Sequence, residues 1–148
     1  MTQARVDPPE HDRLADDRRC FACGPDNPHG IHMVFEYGDA TSRCRIEPRP
    51  DFGGWSNIMH GGIVATLLDE AMAHAAIAAG VRAVTARIEV RFRKPVPTDR
   101  ALVVEGKVVG RRGRVLEIEA TLSTEAGDVV AQAHSRFVAE PSERAAGG

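Results

Sequence analysis

Nineteen consecutive residues, Gly61 to Ala79 (GGIVATLLDEAMAHAAIAA), contain no proline, are rich in alanine and leucine, and stop at Gly80. That pattern predicts a helix with a glycine stop signal, about 28 Å long. Its polar residues are few: Thr66, Asp69, Glu70 and His74. A helix apolar on nearly every side must be buried on most of its surface, so the rest of the chain has to be built around it.

The flanking sequence supplies the material. Ile31–Tyr37 and Ser42–Ile46 alternate as two strands around a Gly38-Asp39 turn, and an irregular glycine-rich stretch, Asp51–Asn57, leads into the helix. Four Val- and Ile-rich stretches follow, Ala83–Phe92, Ala101–Val109, Val115–Thr124 and Val129–Val138, with turn signals at Arg112-Gly113 and Ala126-Gly127-Asp128. The predicted order is β-β-α-β-β-β-β. The fold class is α+β, with an antiparallel sheet of about six strands wrapped around one central helix. Residues 1–18 and 141–148 read as a flexible leader and tail, with one domain over residues 19–140.

A net charge of −2 gives no nucleic-acid signature. Basic residues are concentrated, however: ten lie between Arg82 and Arg114, against three acidic ones. Such a patch suits a phosphorylated small ligand. The start, MTQARVDPPEHDR, has no apolar core, and no run is expected to approach the ~18 apolar residues of a membrane span. A cytoplasmic, reducing location is therefore expected, with no membrane partner and with Cys20, Cys23 and Cys44 as thiols. The Cys20-x-x-Cys23 pair invites a zinc reading, with His29 and His32 as further ligands. A second paired-ligand cluster is missing, so no metal is expected.

Three blocks carry chemistry: CFACGPDNPHGI (Cys20–Ile31), MHGGIVATLLDEAM (Met59–Met72) and VTARIEVRFRKPVP (Val84–Pro97). Together, in order and at these spacings, they resemble the hotdog-fold thioesterase superfamily, in particular its PaaI-like branch of acyl-CoA thioesterases. The resemblance covers residues 20–139. It implies Asp69 as the catalytic carboxylate, acting as general base or as nucleophile, and the Gly61 N–H as oxyanion donor. Thr85 matches a residue that orients the water, and His60 one that bonds the thioester or caps the helix. Many relatives carry an Asn or Gln six residues before the histidine, where this chain has Gly54; Asn57 is the amide nearest that role. The substrate is then an acyl-CoA, and no cofactor is implied beyond it. Gly62, Arg87, Arg91, Arg93, Lys94, Arg111, Arg112 and Arg114 are the candidates for holding the CoA moiety.

The helix chemistry agrees with this. Unpaired N–H groups and a positive dipole end favour an oxyanion at a helix start. Strand alternation puts Arg87, Glu89, Arg91 and Arg93 on one face, and Ile88, Val90 and Phe92 on the other. Gly61 and Asp69 are eight residues apart, about 12 Å along the axis, too far for one carbonyl to meet both. Two antiparallel helices related by a two-fold would bring Gly61 of one subunit beside Asp69 of another, so a homodimer, or a tetramer of paired dimers, is expected. Two alternatives stay open: an acyl-CoA binder without catalysis, and a hydratase pairing Asp69 with His74.

Overall fold

The computed structural model describes residues 14–141. The expected leader falls mainly on residues 1–13, and the tail almost wholly on 142–148, outside the described residues. At the edge of that range Leu14 is tied down. Its N–H donates to Glu140 Oε2 (3.2 Å), and its carbonyl accepts from Arg82 Nη1 (2.7 Å).

The strands are β1 (Glu36–Gly38), β2 (Thr41–Ile46), β3 (Gly53–Trp55), β4 (Ile58–Met59), β5 (Ala83–Phe92), β6 (Leu102–Arg112), β7 (Val115–Thr124) and β8 (Val129–Ala139). The helix α1 runs Gly61–Ala78. Beyond its C-cap, Ala79, Gly80 adopts φ 82°, the left-handed conformation that ends helices and favours glycine. Six strands form one antiparallel sheet in the order β1-β2-β6-β7-β8-β5, and β3 and β4 form a separate hairpin ahead of the helix.

The first expected strand is shorter than its sequence suggested. Ile31–Phe35 lies outside the sheet because its donors go elsewhere: Ile31 N–H to the Phe21 carbonyl (2.9 Å) and Met33 N–H to that of Ala22 (2.8 Å). His32, at φ 62°, breaks the extension between them. The residue 20–33 segment thus folds back on itself as an ordered loop.

The sheet covers α1. Leu67, Leu68, Ala71, Met72 and Ala75 are fully buried against Leu102, Val104, Ile118, Leu122 and Ala131. Each large apolar side chain so buried contributes about 1.5–3 kcal/mol. The approach to β6 is close at Gly106, where a Cβ would run into the Ala71 carbonyl. Ser42 Oγ donates to that same carbonyl (2.6 Å), so the one buried hydroxyl at the contact is satisfied. By length and mean hydropathy alone, 1.2 over its window, α1 does meet the requirement for a membrane span, contrary to the sequence expectation. In this fold the sheet covers one side of it: Val64, Leu67, Leu68, Ala71, Met72, Ala75 and Ala76 are buried, while Ile77 stays exposed.

The edge strand β5 is different. Its inward-facing Ile88 and Phe92 stay 36% and 53% exposed, while the inward residues of β7 and β8 are buried. Its outer backbone edge has no partner strand among the described residues.

Candidate active site

His60 precedes the helix as its N-cap, with Nδ1 accepting from the Gly62 N–H at 2.8 Å. That bond removes Gly62 as a free donor. With Nδ1 as the acceptor, Nε2 is the ring nitrogen left to carry an N–H. The next helix donors, Ile63 and Val64, return to the His60 carbonyl, whereas no acceptor among the described residues takes the Gly61 N–H. Gly61 lies beside the Phe92 ring, where an added Cβ would find ordinary contact at 3.5 Å.

Asp69 lies two turns further along α1, half-buried. Thr85 Oγ1 donates to its Oδ1 at 2.6 Å. A bulge makes this contact possible. The β5–β8 register pairs Thr85 with Phe137 but Arg87 with Arg136, leaving Ala86 as an extra residue. Directly paired residues share a face, and Phe137 is buried, so the bulge turns Thr85 toward the helix. Simple alternation would have put it beside Arg87 on the outer face. Burial raises the Asp69 pKa above its ordinary 3.8; the Thr85 hydrogen bond pulls it back down and the charge of Glu70 adds to the rise.

The remaining predicted residues are more dispersed. Asn57 sits in the β3–β4 turn at φ 60°, and its carbonyl accepts from the Thr98 N–H (3.2 Å). Gly54 packs against His60, where a Cβ would stand 3.2 Å from the histidine Cα, so a larger residue there needs the His60 backbone to give by a few tenths of an ångström. Arg87 and Arg91 lie on the outer sheet face beside Glu89, and Arg93 continues it, its Nε donating to Gln132 Oε1 at 2.6 Å. Lys94 follows at the Phe92 end of β5. Arg111, Arg112 and Arg114 gather at the β6–β7 turn, with Arg114 Nε on the Ala139 carbonyl (2.9 Å). Ala139 pairs with Ala83, so this group lies near the Thr85 end of β5 and Lys94 at the other.

Sequence reasoning missed a second polar cluster on α1. Glu70 Oε2 accepts from His74 Nε2 (3.0 Å) and from Cys20 Sγ (3.5 Å), and His74 Nδ1 is hydrogen-bonded to the Tyr37 hydroxyl (2.8 Å). Phe35 stacks on the imidazole at 4.1 Å. Burial pushes the Glu70 carboxyl upward, but the His74 and cysteine hydrogen bonds outweigh it and hold the pKa below the usual carboxylate value. The four-residue spacing of Glu70 and His74 was the available signal. With His74 held by Glu70 and Tyr37, and Asp69 by Thr85, no Asp69–His74 pair forms within the chain.

Comparisons with known proteins agree with this architecture. The chain is 27% identical over 112 residues to acyl-coenzyme A thioesterase THEM4 of Rattus norvegicus, covering 74% of this chain and 48% of that protein. It thus spans about half the length of the curated relatives it matches. A crystal structure of a thioesterase superfamily protein superposes with a TM-score of 0.78 at 27% identity, over 82% of this chain and 63% of that one. A hypothetical thioesterase from Streptococcus pneumoniae, solved with coenzyme A, gives 0.69 at 18% identity, over 72% and 87%. The Escherichia coli PaaI protein gives 0.69 at 15% identity, over 74% and 80%. One helix wrapped by a six-stranded antiparallel sheet is the hotdog fold these proteins share. The thioesterase superfamily profile matches residues 56–131, just over half of the sequence, from the β3–β4 turn through α1 and into β8. The chain belongs to the thioesterase superfamily.

Proposed function

We propose that this protein hydrolyses the thioester of an aryl or short- to medium-chain acyl-CoA, releasing the free acid and coenzyme A. The observation that carries this reading is the half-buried Asp69 carboxylate, oriented by Thr85 and left with Oδ2 for chemistry. From there Oδ2 takes a proton from the attacking water, or itself attacks the carbonyl to give a mixed anhydride that water then opens. The Gly61 N–H receives the developing oxyanion, and the His60 ring, one residue earlier, supplies its Nε2–H as a further donor. The Streptococcus pneumoniae protein has been solved with an Asp and, separately, a Thr replaced by Ala, sixteen residues apart. Asp69 and Thr85 have the same separation.

The site is composite in this reading. Within one chain Gly61 lies beside Phe92 and Asp69 beside Thr85, towards opposite ends of β5. Pairing β5 with β5 of a second copy, antiparallel, sets the Phe92 end of one strand near the Thr85 end of the other. It also covers Ile88 and Phe92 and satisfies an open strand edge. A hydratase is disfavoured by the engagement of His74 with Glu70 and Tyr37.

The test is thiol release from a panel of acyl-CoAs by the wild type and Asp69→Ala. Hydrolysis of some member, reduced about 10²-fold or more in a folded variant, supports the reading. If no member is cleaved while CoA esters still raise Tm, the protein is a binding module.

A further inference from the structure

The cluster around Glu70 plays no part in the proposed hydrolysis, yet it brings metal-binding groups together from two distant parts of the chain. We propose that Cys20, Cys23 and Glu70 form a binding site for a single zinc ion, fastening the residue 20–33 loop to the central helix.

The two sulfurs and a Glu70 carboxylate oxygen all lie within 4.8 Å of one another. A tetrahedral zinc with Zn–S of about 2.3 Å and Zn–O of about 2.1 Å has an S···O edge of about 3.6 Å. Cys20 Sγ and Glu70 Oε2 stand 3.5 Å apart, so that edge is already formed. The loop has the turn this spacing needs. Gly24 N–H bonds back to the Cys20 carbonyl (2.8 Å), and Cys23 N–H points at Cys20 Sγ (3.5 Å), a donor suited to a thiolate. A side chain at position 24 would run into the Cys20 and Arg18 backbone, so the knuckle is built around glycine.

Glu70 is 13% exposed and His74 12%. The imidazole stands outside the three-residue group and holds the carboxylate in place, itself fixed by Tyr37 and Phe35. Ligating carboxylates are ordinarily steadied in this way. Two thiolates with one carboxylate favour zinc over the harder magnesium or calcium. His29 and His32, the ligands the sequence suggested, do not join; the His32 ring bonds the Asn27 carbonyl at 2.7 Å instead. The fourth position is left to water. On binding, the two thiols give up their protons to solvent and the ion takes their place.

The test uses the full chain, purified in reductant and stripped with a chelator, then titrated with zinc against a chromophoric competitor. One equivalent is expected to bind with submicromolar affinity and to raise Tm, and cobalt in its place should show thiolate charge-transfer absorption. Cys20→Ser, Cys23→Ser and Glu70→Gln should each weaken binding at least tenfold, while His32→Ala and Asp69→Ala bind as the wild type does. Because Asp69→Ala should lose hydrolysis but keep zinc, failure here is distinguishable from failure of the thioesterase reading. No submicromolar zinc binding by the reduced wild type overturns the proposal. So does unchanged binding in the two serine variants, and because the first criterion needs only the wild type, a variant that fails to fold leaves the test intact.

Discussion

The Thr85 hydroxyl donates to Asp69 Oδ1 at 2.6 Å, joining the edge strand to the central helix across sixteen residues of sequence. This bond both aims the carboxylate and stabilises its charge. In the proposed hydrolysis Thr85 is a positioning residue, and its removal should show in the pH profile as well as in rate.

In the proposed hydrolysis Asp69 acts as the ionised carboxylate, and its pKa is raised above 3.8, chiefly by burial, with Thr85 opposing the rise. Activity should therefore fall as pH drops through that raised value. Thr85→Val removes the opposing hydrogen bond and should move this acid limb to higher pH, with a loss of about 10- to 100-fold in kcat/KM at neutral pH. Thr85→Ser should restore both. A pH–rate profile of the three proteins checks this, and an unmoved limb in Thr85→Val would refute it.

The same shift makes a stability prediction. A carboxyl with a raised folded-state pKa contributes most below its ordinary 3.8, and that contribution is lost as pH rises through the folded value. At neutral pH the ionised Asp69 works against folding. Asp69→Asn, which can still accept from Thr85, should melt no lower than the wild type at pH 7 while hydrolysing at least about 10²-fold more slowly. Melting curves at pH 7 and pH 4 should show the advantage shrinking in acid.

Gly106 lets the sheet approach the helix closely, its missing Cβ facing the Ala71 carbonyl carbon at 2.7 Å. Backbone cannot yield as a flexible side chain can. Gly106→Ala should cost about 3 kcal/mol in denaturant unfolding, far more than alanine costs at an exposed strand position. A loss under about 0.5 kcal/mol would show that the helix can shift.

The open edge of β5 predicts an oligomer. Ile88→Lys with Phe92→Glu places charge on its uncovered apolar face, and should convert the protein to folded monomers without thioesterase activity. Sedimentation and circular dichroism together check it; an active monomer would count against the composite site.

Much of this was legible in the sequence. The helix and the burial of its sheet-facing side followed from its apolar residues, and the limits of β5 and β7 from their Val and Ile content between turn signals. What escaped depends on tertiary contacts that a single strand or helix does not encode. Ile31–Phe35 alternates like a strand but gives its hydrogen bonds to the loop behind it. Thr85 faces the helix only because Ala86 is an unpaired bulge residue, and nothing in VTARIEV marks the slip. Glu70 could be separated from Asp69 by helical angle, but its meeting with Cys20, fifty residues away, needs the folded loop.

A site shared between two chains, with Gly61 from one and Asp69 from the other, is open to a complementation experiment. Gly61→Pro removes the one N–H in question at a helix position proline favours, and His60 already has the extended conformation, φ −60° and ψ 134°, that precedes proline. Alone, Gly61→Pro and Asp69→Ala should each lose about 10²-fold or more in thiol release. Co-expressed in equal amounts, half of the dimers are mixed and each holds one intact site, so activity should return to about a quarter of the wild type. A co-expressed mixture no more active than its parents would contradict the shared site and place Gly61 and Asp69 in the same chain's chemistry.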